Sequence, residues 1–152
     1  ALTMKSNSEV VSAQSFLRKM MQDGNTAEAK KALKALIADV PYSNKKMASM
    51  DMEERYRLIM STIFRALGFR VEVERMLATG RIDMIVEVPS FIYVLELKLS
   101  NNGGISAAES QIKDKSYTEP FKADKRKVIA LAVELDETGK GLIDWKEVDE
   151  SL

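Results

Sequence analysis

Asp83, Glu96 and Lys98 are charged residues set inside runs that are otherwise apolar. Asp83 lies in the stretch 81–88, and Glu96 and Lys98 lie in Phe91-Ile92-Tyr93-Val94-Leu95-Glu96-Leu97-Lys98-Leu99. The second run is apolar at nearly every position, the pattern of a strand covered on both faces. Charge in such a strand is costly unless something pairs with it. Side chains alternate along a strand, so Glu96 and Lys98 point the same way. A turn at Pro89-Ser90 folds the first run back on the second and brings Asp83 opposite Glu96. Two carboxylates and one ammonium would then converge, the minimum set for binding a divalent metal and positioning a water beside it. A structural ion cluster closing the hairpin is the competing reading.

Composition narrows the chemistry. The 152 residues contain no histidine and no cysteine, which excludes imidazole-ligated zinc hydrolases, Ser-His triads, disulfides and thiolate metal sites. A hydrolytic metal site must therefore be built from oxygen ligands, which suit Mg²⁺ or Mn²⁺. Lys plus Arg and Asp plus Glu each number 23, so no global basic field draws nucleic acid to the chain. The nine methionines fall mostly at core-like helical positions and call for no cofactor. No transmembrane run or signal peptide is visible, and a cytoplasmic protein without membrane contact is expected.

The elements that must position the three charges follow from periodicity. Val11, Phe16, Leu17, Met20 and Met21 suit one face of a helix over 8–21, broken at Asp23-Gly24-Asn25. Asn25 and Glu28 resemble a capping pair for a second helix with Ala29, Ala32, Leu33, Leu36 and Ile37 inward, ended by Pro41. These two helices read as a lead-in over 1–45, packed beside the core or toward another domain, with the main domain over 46–152. A stronger helix places Tyr56, Ile59, Met60, Ile63, Phe64 and Leu67 at helical spacing and stops at Gly68. Strands are expected over 69–76, 81–88, 91–99 and 128–133, with a short final one over 142–148. A loop at 101–104 precedes a helix from Ile105 to about Lys115. The order α-β-β-β-α-β is an α/β (α+β) arrangement, a mixed central sheet flanked by helices.

Asp83, a dozen intervening residues and Glu96-x-Lys98 on a hydrophobic strand resemble the PD-(D/E)XK nuclease superfamily. Leu67-Gly68-Phe69, Gly80-Arg81-Ile82-Asp83, Gln111-Ile112-x-x-Lys115-x-Tyr117 and Lys127-Val128 extend the likeness in order. It covers about Val40 to Leu135, and Glu-x-Lys alone would carry no weight. One departure is that Ile82, not proline, precedes Asp83. The set resembles the PD-(D/E)XK domain at the C-terminus of bacterial proteins whose N-terminal part is an AAA-ATPase-like domain. The chain opens Ala1-Leu2-Thr3 and has no phosphate-binding Gly-x4-Gly-Lys-Ser/Thr motif, so it reads as a piece of a longer protein with the ATPase-like part upstream.

The resemblance implies a restriction-endonuclease-like core and a division of labour. Asp83 and Glu96 would hold Mg²⁺ or Mn²⁺ with a backbone carbonyl, that of Leu97, and waters. The metal would polarise a scissile phosphate, and Lys98 would orient the attacking water and stabilise the anionic transition state. Glu53 matches a family acid and is an additional candidate metal ligand, although acids are favoured near helix N-termini anyway and Glu54 competes. Glu74 matches another, with a solvated strand position as its alternative. Gln111 would bind a phosphate or a metal-bound water, or simply face solvent, and Lys115 lies one turn later on the same face. Tyr117 would stack on a base or pack under the sheet edge, the second being favoured. Lys122, Lys125, Arg126 and Lys127 form a basic run, either a solvated loop or a backbone-phosphate contact, with Lys125 and Lys127 the candidates for nucleic acid. The expected activity is a Mg²⁺-dependent phosphodiesterase acting on DNA, RNA being less favoured. The alternative is a catalytically silent module of the same fold that binds nucleic acid or protein.

Overall fold

Five strands form one mixed sheet in the order β1-β2-β3-β4-β5 in the computed structural model, which describes residues 7–40 and 49–150. They are β1 (Arg70–Met76), β2 (Arg81–Glu87), β3 (Phe91–Leu99), β4 (Lys127–Leu135) and β5 (Leu142–Val148). Neighbours are antiparallel except β3 and β4, whose parallel pairing runs from Phe91–Lys127 to Leu99–Leu135. A parallel pair needs a crossover, and the helix α4 (Gly104–Lys115) supplies it. This is the expected mixed α/β, restriction-endonuclease-like arrangement.

Two cores follow from alternation in the central strands. Tyr93, Leu95 and Leu97 of β3 and Ile129, Leu131 and Val133 of β4 pack with α1 (Asn7–Asp23), α2 (Thr26–Ala38) and α3 (Met52–Ala66). Ile92 and Val94 of β3 and Ala130 and Ala132 of β4 face the other way, toward Ala108, Ile112 and Tyr117. Glu96 and Lys98 share the parity of Val94. Asn25 caps α2 by accepting the Glu28 N–H at 3.2 Å, and Asp51 caps α3 by accepting that of Glu54 at 2.8 Å.

The two leading helices pack beside the core. The Tyr93 hydroxyl donates to the Met21 carbonyl, and the Trp145 indole N–H donates to the Thr26 carbonyl at 2.8 Å. Lys30 pairs with Asp144 at 2.6 Å. Phe16 is not on the buried stripe of α1 but 42% exposed. Leu17, Met20 and Met21 occupy the inward arc, and Phe16 stands at its edge. The Val11 side chain, Pro41 and the boundary expected at 45/46 lie outside the described residues. Among the described residues no helix is long and apolar enough to cross a membrane.

Candidate active site

The β2–β3 hairpin turns at Pro89-Ser90, and its ladder runs from Glu87–Ile92 to Met84–Leu95. One step further, Asp83 and Glu96 come opposite each other, as the distances from the turn require. The paired rungs end there. Asp83 Oδ2 accepts the Leu97 N–H at 2.8 Å, so a carboxylate takes over a donor that a ladder carbonyl would otherwise satisfy. On the other side, β1 pairs with β2 at Val73–Met84 and Arg75–Ile82 and skips Glu74 and Asp83 between them. Met84 and Val86 enter one core, whereas Ile82 joins the other despite its even spacing, so β2 changes its facing at Asp83.

Asp83 and Glu96 are each only 2% exposed. Burial, then the charge of Asp83 and a hydrogen bond to it, push the Glu96 carboxyl up to about 9. Burial also raises Asp83, against the opposing pull of the Leu97 N–H, the hydrogen bond from Glu96 and the Arg81 charge. Without a cation the two acids therefore share a proton, with Glu96 donating to Asp83. Glu96 Oε2 is buried with no hydrogen-bond partner, a costly state for a carboxyl oxygen.

Lys98, half-buried two residues along β3, acts electrostatically on Glu96 and on Glu53. Glu53, in the first turn of α3, is raised by burial and by the charge of Asp83, against the pull of Lys98 and Arg57. The structure thus brings Asp83, Glu96, Lys98 and Glu53 into one electrostatic neighbourhood. Among the described residues no group of three or more acids is gathered closely enough to cage a metal by itself. The pair nevertheless fits a hard divalent cation: its donors are all oxygen, one is an unpartnered buried atom, and both acids resist ionisation until positive charge arrives.

Gln111 and Tyr117 form a relay. Gln111 Nε2 donates to the Tyr117 hydroxyl at 3.0 Å, and that hydroxyl donates to the Arg81 carbonyl at 2.7 Å. Tyr117 is 0% exposed and packed in the second core, the favoured of its two readings; its ring offers no open face on which a base could stack. Gln111 is half-buried rather than solvated, with its amide turned toward Tyr117. Lys115 is exposed, and its carbonyl accepts the Thr79 hydroxyl at 2.8 Å, which ties the end of α4 to the turn before β2.

Lys125 and Lys127 are exposed but stand at the other end of the sheet. Lys127 is paired with Phe91 whereas Lys98 is paired with Glu134, a separation of seven residues along the strands or roughly 23 Å. Within the same run, Lys122 pairs with Glu119 at 2.8 Å and Arg126 with Glu87 at 2.7 Å. Glu74 meets Arg57 at 2.6 Å and Arg81 at 3.6 Å, and Arg81 lies 3.9 Å from Asp83. Sequence reasoning passed over Arg57. Its signal was its place one turn after Glu53 on the same helix face.

The chain is 31% identical over 121 residues to an "Uncharacterized protein in vnfD 5'region" of Azotobacter chroococcum mcd 1, an alignment covering 78% of this chain and 23% of that protein. The chain thus spans about a quarter of the length of that relative. No solved structure matches it. The family model that matches, over residues 51–145, describes the PD-(D/E)XK nuclease superfamily and takes in Glu53, Asp83, Glu96, Lys98 and Gln111. With more than half of the chain matched and the paired acids and lysine at the hairpin's open end, the chain belongs to the PD-(D/E)XK nuclease superfamily.

Proposed function

We propose that the chain is a Mg²⁺- or Mn²⁺-dependent phosphodiesterase that cleaves DNA, with RNA the less favoured substrate. An AAA-ATPase-like domain upstream of it would control it, a reading supported by the order of its sequence motifs. The observation that carries the enzymatic reading is the buried Asp83–Glu96 pair, with its unpartnered Glu96 Oε2 beside Lys98.

Asp83 and Glu96 would hold the cation, with Glu53 as an additional ligand from α3. When bound, the metal polarises the scissile phosphate and favours hydroxide over water as nucleophile. Lys98 supplies a compact charge that orients the nucleophile and offsets charge developing on the phosphate. The Leu97 N–H fixes the Asp83 carboxylate, so the pair need not reorganise when the substrate arrives. Gln111 acts through Tyr117 to hold the backbone at Arg81, immediately before the metal-binding stretch of β2.

Incubation of mixed-sequence DNA and RNA with Mg²⁺, Mn²⁺ or EDTA tests this. Cleavage should require the metal and disappear in Asp83→Asn. A wild-type protein inert with every divalent cation on both substrates would discard the enzymatic reading. The second reading, a silent module that binds nucleic acid or protein, is favoured by one observation, the equal counts of 23 basic and 23 acidic residues.

A further inference from the structure

Glu74 is an outlier of backbone as well as of charge. It sits within β1, yet its φ is +54°, the left-handed region that side-chain-bearing residues rarely adopt. It also stands at the one skipped position of the β1–β2 ladder, opposite Asp83. Strain of this kind persists only where surrounding contacts over-determine it. At its side chain, two guanidinium groups converge on a single oxygen. Arg57 Nη2 lies 2.6 Å and Arg81 Nη1 3.6 Å from Glu74 Oε1. Arg81 reaches on, through Nη2, to 3.9 Å from Asp83 Oδ1.

The two arginines are held differently. The Arg57 side chain is 13% exposed and tightly paired. That of Arg81 is 47% exposed and makes only long contacts with acids. Its backbone, however, is fixed by the Tyr117 hydroxyl. The Arg81 head is thus an accessible planar fork on a rigid base, next to a carboxylate that would hold the metal. Lys115 is exposed close by, beside Gly80. Guanidinium forks match phosphate oxygens as well as they match carboxylates.

We propose that Arg57 and Arg81 form a phosphate-binding site for the nucleic-acid backbone, and that Glu74 is the resident anion that occupies it until a phosphodiester takes its place. The inference rests on the nuclease reading and adds substrate-positioning residues to it. Glu74 would weaken binding of the ground state and keep two clustered cations from repelling each other in the free protein. A phosphodiester seated on Arg81 would lie next to Asp83, where the reaction is to occur.

Binding of a short mixed-sequence DNA duplex, followed by fluorescence anisotropy in EDTA so that nothing is cleaved, tests the site. Glu74→Gln should tighten binding several-fold, because the competing anion is gone. Glu74→Asn should do the same, and asparagine tolerates the left-handed backbone, so a folding defect in one variant does not decide the result. Arg81→Gln should weaken binding and reduce the slope of log affinity against log salt by about one, and Arg81→Lys should restore the slope more than the affinity. Unaltered or weaker binding in both folded Glu74 variants would overturn the inference and leave a plain structural ion pair. If the wild type instead neither binds DNA nor cleaves it with Mg²⁺ or Mn²⁺, the nuclease reading falls first, and this inference with it.

Discussion

Asp83 accepts the backbone N–H of Leu97, the residue that follows Glu96, and this single bond sets the two acids side by side where β2 and β3 part. The hairpin's last rung is thus made by a side chain that also belongs to the candidate metal site. Perturbing the acid touches the fold and the chemistry at once.

Asparagine at position 83 can still accept the Leu97 N–H through its amide oxygen, so Asp83→Asn should fold. Mg²⁺ or Mn²⁺ should raise the melting temperature of the wild type, as a ligand that binds only the native state must. The same additions should leave Asp83→Asn unmoved. A wild-type-sized shift in that variant would remove Asp83 from the metal site.

The acid pair also predicts a pH dependence. Glu96 is pushed up to about 9, chiefly by burial and then by Asp83, and burial raises Asp83 as well. With folded values above unfolded ones, the native state binds more protons, and the stability present at low pH is lost as pH rises. In EDTA the melting temperature should therefore fall between pH about 5 and about 9. Excess Mg²⁺ should flatten that fall by replacing the proton, and metal affinity should climb across the same window. The surface carboxylate of Asp124, held down to about 2 by Arg126, acts oppositely but only at the acid end. A flat profile in EDTA would mean that the two acids do not share a proton in the folded chain.

Lys98 separates catalysis from scaffolding. Lys98→Ala should retain the metal-induced shift through Asp83 and Glu96 while cleavage drops by about two orders of magnitude. Were the lysine only a structural partner, its loss would strand a carboxylate and lower stability by about 3–5 kcal/mol. Melting curves with and without metal, together with turnover on the same variant, tell these outcomes apart.

Removing the Tyr117 hydroxyl cuts the relay from Gln111 to the Arg81 carbonyl and leaves the ring in its core. Tyr117→Phe should cost about 1 kcal/mol of stability. Cleavage should fall about tenfold through misplacement of the strand that carries Asp83. Gln111→Ala should resemble it in kinetics with a smaller stability loss. If both variants cleave at the wild-type rate, Gln111 and Tyr117 serve packing alone.

Much of this site was legible because local rules govern it. The continuous apolar run marked β3 over Phe91–Leu99, a short last strand was expected where β5 lies over Leu142–Val148, and equal distances from the Pro89-Ser90 turn set Asp83 against Glu96. The Asn25 cap follows from residues three apart. What escaped depends on contacts that no local pattern encodes. Tyr117 has no nearby signal for bonding to the carbonyl of Arg81, 36 residues away, and Lys127 shows its distance from the site only once β3 and β4 are known to run parallel. Glu74 reads as an ordinary strand residue, since nothing in its neighbours announces a positive φ.

The seating of α1 and α2 bears on what a minimal piece of this protein can be. The stretch that the family model covers, 51–145, leaves out both helices. A chain cut to those limits would strip the Tyr93 hydroxyl and the Trp145 indole of their acceptors, Met21 and Thr26, and open the part of the core that Leu17, Met21 and Leu33 fill. Tyr93 and Glu96 share a strand, so damage at one would loosen the floor beneath the other. The outline by which the family is recognised is thus narrower than the body that must fold together.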